Sequence, residues 1–526
     1  MRLSDHDLLQ LTDQDLEDLP EDVLRVLSVK LLNDLKEARE RLRQSSRNSS
    51  RPPSSDLPWD KTVSNEKAPE EQGNELTEVN DLLADETAEE KENAQGEVNK
   101  AAEKSSLVKR NAGKQPGAKG YGREQKLTVT QEERHYPVTC VRCDSALAKD
   151  SAVAYTAFET VDIEWADVNR PGITLTNTQH SYYEATCTCG HCTRQAPHRQ
   201  ASHYLTPDIE LCEWRLVGAG LAALIVCLAY RMRLSRKRTQ EFLKDWLGLE
   251  LSVGLINATL HESGAAVLPV EDELVKAVQD SGLLHVDETS WYESGALLWL
   301  WVFRGEGVVA FWIAARCSEL IDTVLGADYK GRLMSDGYGV YRHFPNRLRC
   351  WAHLIRKAKG LTESLNLSAR LFGTQTLDLF YGLIEAIRGA REQPPDQALT
   401  ITYPSQLENY RLACETIKTS THEKSRALAV EMLNDWEAIF QVLAPPHLPL
   451  THNEAERALR HWVILRHSCH GTRSEEGTRI FAILISVIET CRVREQSPWL
   501  YLATVIHQRR AGLSAPSLPE INRGLN

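Results

Sequence analysis

Three acidic residues are spaced so that they could act together on a phosphodiester. Asp287 ends an apolar stretch that resembles a strand, Asp336 ends a second such stretch, and Glu456 opens a segment with helical spacing. Acids at strand ends and at a facing helix start can converge on one edge of a sheet. Carboxylates bind Mg²⁺ and Mn²⁺ well, and two such ions activate an attacking oxygen and neutralise a leaving one.

Each acid also has a purely structural explanation. Asp287 is followed by Glu288 at what could be a strand-to-turn junction, and Asp336-Gly337 is a common turn pair. Asn453 and Glu456 have the spacing of a capping box at a helix start. Residue types and spacing alone therefore leave both explanations open.

Cysteines form the second group of candidate ligands. Five of the chain's 12 cysteines fall between positions 140 and 192, and such clustering favours a metal site over a disulfide framework. Cys140-x-x-Cys143 has the spacing of half a zinc site. The remaining cysteines, including Cys227 and Cys350, stand in apolar contexts, so we expect them in the core.

The second half of the zinc site has more than one candidate pair. We prefer Cys189 and Cys192, because their spacing matches that of the first pair. Cys187 is the next candidate, and His191 is a more distant one. The alternative is a module that keeps its thiols free.

Strands and helices must hold the three acids. Apolar, β-branched and aromatic residues predict strands, and the segments concerned are 283–291, 297–305, 307–315 and 332–339. Glu306-Gly307 predicts the turn before the third of them. Helices are expected over 318–325 and through 350–360, so the order of elements indicates a mixed α/β sheet.

A helical insertion is expected between Asp336 and Glu456. Within residues 366–447, Leu377, Phe380 and Ile384 have helical spacing, and Pro445-Pro446 ends the segment.

A helical region with a basic run precedes the sheet. Leu216–Tyr230 is too short an apolar run to span a bilayer, so it predicts a buried helix. Two amphipathic stretches around Leu247-Gly248-Leu249 then resemble a helix-turn-helix, whose second helix could enter a major groove, although ordinary helical domains contain such pairs too. The candidate DNA-binding residues are Arg231, Arg233, Arg236, Lys237 and Arg238.

The N-terminal part is a helix followed by a linker. Leu24, Leu31 and Leu35 begin a short heptad pattern, typical of a helix that pairs with another copy or docks on its own chain. Residues 45–125 have the composition of disorder and end in the basic segment Lys109–Arg123, which either lies along a phosphate backbone or serves only as a linker.

The charge is unevenly distributed along the chain, and the N-terminus indicates a cellular location. The formal net charge of −12 is concentrated in residues 1–22 and 62–105, which leaves the rest of the chain mildly basic. The N-terminus has no charged-then-apolar signal pattern, so we expect a cytoplasmic protein.

Five segments resemble, in order, the successive blocks of the insertion-sequence-66 family of bacterial transposases. They read HVDETSW, LMSDGYGVYRHF, CWAHLIRKA, THNEAERALR and SEEGTRIFAILISVIETCRVREQSPWLYL. SSRNSSRPPSSD and GKQPGAKG resemble that family's N-terminal linker motifs, and the paired cysteines resemble its zinc-binding module. The resemblance covers most of the chain.

The resemblance implies a DDE transposase with a ribonuclease-H-like core. Asp287, Asp336 and Glu456 would hold two Mg²⁺ or Mn²⁺ ions, so that water nicks DNA at the element ends and the freed 3′-hydroxyls attack target DNA. A structural Zn²⁺ would occupy the cysteine module. Supporting residues would be His353, Arg356, Arg457 and Arg460.

The resemblance also implies partners and a location. These are double-stranded DNA at the element ends and the target, a homo-oligomer on that DNA, helper proteins of the same element, and the nucleoid.

Two segments depart from the family pattern. Where the family has Asp-Asn-Asn-x-Ala-Glu-Arg, this chain has Thr451-His452-Asn453-Glu454-Ala455-Glu456-Arg457, and the run 466–471 also differs. Two alternatives therefore stay open: a decayed or repurposed DNA-binding protein, and a nuclease that cuts without strand transfer.

The expected domain order follows from these segments. It is a coiled-coil segment (1–44), a linker (45–125), a zinc module (126–205), a helix-turn-helix-like region (206–278), a catalytic core in two parts (279–365 and 448–512) around the helical insertion (366–447), and a tail (513–526).

Overall fold

A computed structural model describes most of the chain after the linker. The described residues are 20–42, 48, 127–166, 169, 171–205, 208–326, 328–394, 398–444 and 446–521. The linker predictions, including Lys109–Arg123 and both linker motifs, lie outside these residues apart from position 48, as does the end of the tail. None of the helices within these ranges has the length and apolar content that crossing a membrane requires.

The N-terminal helix, α1, spans Glu21–Leu42, where the heptad pattern predicts a helix. Its apolar positions are poorly covered by the residues that the structure describes, since Leu35 is 52% exposed and Leu42 is 86% exposed. Pairing of α1 with a second copy stays a prediction.

A small β-rich module carries the clustered cysteines. Its strands are β1 (Gln131–His135), β2 (Val153–Glu164), β3 (Thr174–Thr186), β4 (Cys192–Arg194), β5 (Arg199–Ala201) and β6 (Glu210–Cys212). The first sheet has the order β1-β3-β2, with β4 pairing β3, and β5 and β6 form a separate hairpin. β2 and β3 pair antiparallel over most of their length.

Helices connect this module to the main sheet. They are α2 (Ala219–Val226), continued by a π-helical segment (Cys227–Arg231), α3 (Arg236–Leu247), α4 (Val253–Val267) and α5 (Glu271–Gln279). Nearly every residue of α2 and of the π-helical segment is buried, which confirms the buried helix predicted from the apolar run. The hydroxyls of Ser235 and Ser252 cap α3 and α4 by accepting bonds from backbone N–H groups.

The main sheet has five strands in the order β11-β10-β7-β8-β9. They are β7 (Leu283–Glu293), β8 (Ala296–Gly305), β9 (Val308–Ala314), β10 (Arg332–Ser335) and β11 (Arg347–Arg349). β7, β8 and β9 form an antiparallel meander, while β10 runs parallel to both β7 and β11. The chain is therefore a mixed α/β protein, as predicted.

One strand extends further than its sequence suggested. β7 continues to Glu293, so Asp287 pairs with Val302 in the middle of the strand and does not end it. The continuation is held by Trp291, whose ring is 1% exposed and stacks on Phe481 at 4.7 Å between centroids.

Helices flank the sheet and form the insertion. Before and within the insertion they are α6 (Ser318–Leu325), α7 (Trp351–Thr362), α8 (Leu367–Glu392), α9 (Leu399–Thr402), α10 (Pro404–Ile417), α11 (Glu423–Asn434) and α12 (Trp436–Phe440). After it come α13 (Asn453–Cys469), α14 (Glu475–Val493) and α15 (Pro498–Arg510). Short 3₁₀ turns lie at Lys149–Ser151, Leu268–Val270, Gly339–Tyr341 and Gln441–Leu443.

Helix α14 covers the edge strand β9 with polar as well as apolar groups. The backbone N–H of Phe311 donates to the hydroxyl of Ser486 at 2.8 Å, and that of Val309 donates to the hydroxyl of Thr490 at 3.1 Å. Two N–H groups of the outermost strand are thereby satisfied by side chains of a helix.

Candidate active site

Asp287 lies on the central strand β7, with its side chain 19% exposed. Its Oδ1 accepts a bond from the backbone N–H of Glu288 at 2.9 Å. Burial raises the pKa of Asp287 above its ordinary value; the charge of Asp336 adds to this, and His452 opposes it. The charge of Asp336 is therefore close enough to act on Asp287.

Asp336 follows the last residue of β10, which is the parallel neighbour of β7. Its Oδ1 accepts the backbone N–H of Tyr338 at 2.8 Å, so the carboxylate is held in a turn directly at the strand end. Because β10 runs parallel to β7, the end of β10 lies beside the part of β7 that carries Asp287.

Glu456 lies in the first turn of α13 and faces three cationic or titratable side chains. Its Oε1 is 3.6 Å from Nε2 of His452, 3.6 Å from Nη2 of Arg356 and 3.9 Å from Nε2 of His353. The predicted supporting residues His353 and Arg356, both on α7, therefore lie beside the predicted carboxylate.

The other two predicted supporting residues are not brought to the carboxylates. Arg457 is 75% exposed at its side chain and pairs with Glu454 at 3.6 Å. Arg460, one turn further along α13, is exposed as well. Both guanidinium groups remain available to solvent or to a ligand approaching along α13.

The three acids fit hard divalent cations, although they do not share one tight cluster. Among the described residues, the groups whose ligand atoms all lie within 4.8 Å of one another do not include Asp287, Asp336 and Glu456 as a set. Two ions about 3.5 to 4 Å apart need their ligands spread over a wider site. Burial and, less strongly, the charge of Asp336 raise the pKa of Asp287, and a bound cation would oppose both effects.

His452 belongs to the site but was not among the predicted site residues. It is 1% exposed, and its Nε2 lies 3.6 Å from Oδ2 of Asp287. Burial would lower its pKa, but Asp287 and Cys350 raise the pKa well above the ordinary value. The sequence signal was its place in the segment that departs from the family pattern.

Glu288 is a second residue that sequence reasoning missed. Its side chain is 1% exposed and accepts two bonds from Arg316, at 3.0 Å and 2.6 Å, and one from the hydroxyl of Tyr341 at 2.7 Å. Burial, with the charges of Asp336 and Asp287, raises its pKa to about 7. Arg316 also lies over the ring of Tyr338, 3.9 Å from its centroid. Glu288 is therefore connected, through Arg316, to the turn that holds Asp336.

A cleft of about 690 Å³ opens from Asp336 toward α11 of the insertion. Asp336 and His353 line it on the sheet side, and Glu423 and Arg426 line it on the insertion side. Arg342 and Lys357 supply further positive charge. The insertion thus forms one wall of the space next to Asp336.

A buried ion network fastens the insertion to the sheet. Asp435, which is 1% exposed, lies 2.7 Å from Arg347, 3.0 Å from Arg349 and 3.2 Å from Arg342. Glu431 on α11 pairs with Arg349 and, at 2.6 Å, with Lys357. Burial would raise the pKa of Asp435, but Arg347 and the other two arginines hold it below its ordinary value.

The basic run is only partly available for DNA. Arg231 pairs with Glu489 at 3.0 Å, and Arg236 is half-buried, whereas Arg233, Lys237 and Arg238 are exposed.

The second helix of the predicted helix-turn-helix is largely internal. In α4, Leu260 and Val267 are fully buried, and exposure is confined to positions in the first two turns such as Val253. Any groove contact by this helix would therefore come from its N-terminal end.

Four cysteine sulfurs of the β-rich module lie together. They belong to Cys140, Cys143, Cys187 and Cys189. Sγ of Cys140 is 3.7 Å from that of Cys189, and Sγ of Cys143 is 3.5 Å from that of Cys187. A tetrahedral zinc with bonds of about 2.3 Å separates its sulfurs by about 3.8 Å, so this set fits zinc.

Cys192, which the sequence analysis preferred to Cys187, is not in this group. It begins β4 and pairs with Thr186 in the ladder to β3, whereas Cys187 and Cys189 lie in the tight turn before it. In that turn the N–H of Gly190 donates to the carbonyl of Cys187 at 2.9 Å.

Family models match two parts of the chain. The model described as Transposase IS66 family matches residues 215–480. A second model, Family of unknown function (DUF6444), matches residues 11–80. The first match begins before α2, contains the whole main sheet and the insertion, and ends within α14.

Curated relatives are uncharacterized proteins of Sinorhizobium fredii (strain NBRC 101917 / NGR234). Protein y4qI is 23% identical over 314 residues, covering 53% of this chain and 56% of the relative. Protein y4jO is 24% identical over 170 residues, which are 32% of this chain and 50% of the relative, and y4hP is 36% identical over 75 residues, or 14% of each. The chain thus spans about half the length of the first of these relatives.

Proposed function

The chain belongs to the IS66 family of transposases, and from this we propose that it cuts DNA at the ends of a mobile element and joins the freed 3′-hydroxyl ends to target DNA. The proposed catalytic residues are Asp287, Asp336 and Glu456. The observation that carries the proposal is that Asp287 and Glu456, from distant parts of the chain, both approach His452 while the charge of Asp336 acts on Asp287.

The sheet supports a ribonuclease-H-like core as part of the proposal. Three antiparallel strands followed by two parallel ones, in the order β11-β10-β7-β8-β9, place one acid on the central strand and one at the end of its parallel neighbour. The helical insertion then separates these two acids from Glu456.

In the proposed reaction the side chains of the protein hold and orient the metal ions and do not themselves bond covalently to the DNA. When bound, two Mg²⁺ or Mn²⁺ ions would activate the attacking oxygen and neutralise the leaving oxygen. Asp287, Asp336 and Glu456 would hold these ions, and the bond from the N–H of Tyr338 would fix the direction of the Asp336 carboxylate. His353 and Arg356 would orient Glu456 from α7.

DNA would approach over exposed cations that flank the carboxylates. Arg233, Lys237 and Arg238 are exposed before and at the start of α3, and Arg457 and Arg460 are exposed along α13. We propose contacts with phosphate for these residues, since exposed guanidinium and ammonium groups bind phosphate without reading sequence.

The β-rich module would be a structural zinc module. We propose Cys140, Cys143, Cys187 and Cys189 as its ligands, because their sulfur spacing matches tetrahedral zinc. Cys187 thus replaces Cys192 in the proposed set.

The proposed domain order keeps the boundaries given by the sequence. Homo-oligomerisation on DNA through α1, helper proteins of the same element, and association with the nucleoid complete the proposal.

The test uses labelled DNA that carries the flanks of the gene for this protein. Native chain, Asp287→Ala and the surface control Asp280→Ala are incubated with this DNA and Mg²⁺ or Mn²⁺, and nicked and joined products are followed. Asp280 is a suitable control because its side chain is 64% exposed and pairs with Lys276 on the surface of α5.

Metal-dependent nicking and joining by the native chain and by Asp280→Ala, lost in Asp287→Ala, is the expected result. Nicking without joined products would favour a nuclease. Binding without any cutting, with helper proteins supplied, would overturn catalysis and favour a repurposed DNA-binding protein.

A further inference from the structure

Cys350, His353 and His452 form a group outside the cysteine module whose ligand atoms all lie within 4.8 Å of one another. We propose that these three residues bind a second zinc ion, next to the carboxylates Asp287 and Glu456. The group joins two separate parts of the core, because Cys350 and His353 belong to the start of α7 and His452 directly precedes α13.

Cys350 and His353 have the sequence spacing of a zinc half-site. Cys350 is the N-cap of α7 and His353 lies in its first turn, so the Cys-x-x-His spacing turns both side chains to one side of the helix start. His452 supplies the third ligand from the opposite segment. Sequence reasoning assigned Cys350 to the core, and its thiol is indeed 0% exposed.

The histidines carry polar atoms that the described protein leaves without a partner. Nδ1 of His353 and Nδ1 of His452 are buried and make no well-formed hydrogen bond to a described residue, although the thiol of Cys350 is close enough to act on His452. A buried polar atom without a partner destabilises the fold, so two of them beside one buried thiol are unfavourable unless something binds there. A cation coordinated by both nitrogens and the sulfur would satisfy all three groups.

The donor set selects zinc over the ions proposed for the carboxylates. One thiolate and two imidazoles suit a borderline-soft ion such as Zn²⁺, whereas Mg²⁺ takes oxygen ligands. Three protein ligands leave one position of a four-coordinate zinc for water.

The opposite edges of the two imidazoles face the proposed catalytic acids. Nε2 of His452 is 3.6 Å from both Asp287 and Glu456, and Nε2 of His353 is 3.9 Å from Glu456. When Nδ1 is a ligand, the ring proton must lie on Nε2, where it can be donated toward a carboxylate. The two histidines would then be positioning residues for the acids, a consequence that rests on the proposed function, whereas zinc binding does not.

The first experiment measures zinc per chain by mass spectrometry of the purified full-length protein. Variants His452→Asn and Cys350→Ala remove a proposed ligand, and His452→Asn introduces the residue that the family usually has at this position. Cys414→Ser is the matched control, because Cys414 is also a 0% exposed thiol but lies beside Tyr410, outside the metal-ligand groups of the described residues. Cys140→Ser reports the other zinc module.

His452→Asn and Cys350→Ala are expected to lose about one zinc per chain relative to the native protein, while Cys414→Ser keeps the native content. Cys140→Ser should also lose about one, and Cys140→Ser with His452→Asn should lose about two. Unchanged zinc in both His452→Asn and Cys350→Ala would overturn the proposal. So would a Cys140→Ser chain that contains no zinc.

A second measurement covers the case in which a ligand variant fails to fold. Co²⁺ is exchanged into the Cys140→Ser chain, and its visible and near-ultraviolet absorption is recorded. A tetrahedral cobalt spectrum whose sulfur-to-metal band has the intensity of a single thiolate supports the site, and a band from several thiolates or a six-coordinate spectrum without that band contradicts it. Neither measurement uses DNA, so loss of transposition activity and loss of this site are distinguishable.

Discussion

Asp287 and Glu456 approach the same ring nitrogen, since Nε2 of His452 lies 3.6 Å from Oδ2 of the first and 3.6 Å from Oε1 of the second. One acid comes from the central strand and the other from a helix that follows the insertion. His452 therefore lies at the point where the two halves of the proposed catalytic core meet.

Replacing Glu456 by Gln should abolish cutting without preventing DNA binding. The amide keeps the shape of the side chain but loses the charge that would hold a cation, so nicking should fall by at least about 100-fold. The measurement is metal-dependent nicking of labelled DNA, together with a gel-shift assay. Glu454→Gln is the control, since Glu454 lies two residues earlier on the same helix and pairs with Arg304 and Arg457.

Equal loss of nicking in Glu454→Gln and Glu456→Gln would contradict the assignment of Glu456. It would point instead to a general effect of charge at the start of α13.

Neutralising Lys237 and Arg238 should weaken DNA binding in a salt-dependent way. Both side chains are exposed at the start of α3, so each could neutralise one phosphate. The slope of log binding constant against log salt should become shallower by about 0.9 for each phosphate that the variant no longer neutralises. Titrations of Lys237→Ala/Arg238→Ala at several salt concentrations measure this slope.

The control for this titration is Lys244→Ala. Lys244 is exposed on the same helix but already pairs with Glu250 at 3.1 Å. An unchanged slope in the double variant would exclude phosphate binding by this part of the basic run.

Cys187→Ser should remove zinc from the β-rich module, whereas Cys192→Ser should not. Sγ of Cys187 lies 3.5 Å from that of Cys143, while Cys192 stands outside the sulfur group. Zinc content and the melting temperature of each variant test this, and both should fall for Cys187→Ser. If Cys192→Ser removed the metal and Cys187→Ser kept it, the pairing chosen from sequence spacing would be restored.

Asp435→Asn should destabilise the packing of the insertion on the sheet. The substitution leaves Arg347 and Arg349 buried without their shared carboxylate, and breaking a buried pair in this way costs about 3 to 5 kcal/mol. Urea unfolding of the native and variant chains measures the difference. Asp280→Asn, whose partner Lys276 is 75% exposed, should change stability by less than about 1 kcal/mol.

The stabilisation by Asp435 should also depend on pH. Its pKa is lowered in the folded protein, so the contribution is full above the unfolded pKa and is lost as pH falls through the folded pKa. The gap in unfolding free energy between the native chain and Asp435→Asn should therefore be wide at about pH 7 and should narrow as the pH falls below the ordinary pKa of aspartate, about 3.9. A gap that stayed constant with pH would mean that the charge of Asp435 contributes nothing.

Much of the fold could be predicted because its signals are local. The alternating and β-branched residues of 283–315 identified three strands, and the helix over Ser318–Leu325 was predicted with the bounds that the structure has. The position of Asp287 in the middle of β7, and not at its end, was missed, because the continuation of the strand depends on packing of Trp291 against Phe481 from α14. The three-residue strand β11 was missed since it has no periodicity of its own.

The candidate site was predicted less completely than the fold. Acids could be chosen by their position at strand and helix ends, but His452 and Glu288 are defined by partners far away in the sequence. Sequence spacing favoured Cys192 over Cys187, because the turn at Gly190 could not be predicted. In this turn the sulfurs of Cys187 and Cys189 lie close to those of Cys140 and Cys143. Spacing alone carries no information on how a turn directs side chains.

The bonds from Ser486 and Thr490 to β9 have a consequence for biosynthesis. The strand leaves the ribosome long before α14 does, so the nascent chain carries an open sheet edge while the insertion and α13 are still being made. Until α14 emerges, the N–H groups of Val309 and Phe311 can pair with another polypeptide. Chains that terminate early, before Glu475, should accordingly accumulate as aggregates or be degraded, and a fragment that retains Asp287 and Asp336 but lacks α14 should not persist in the cell as a free protein.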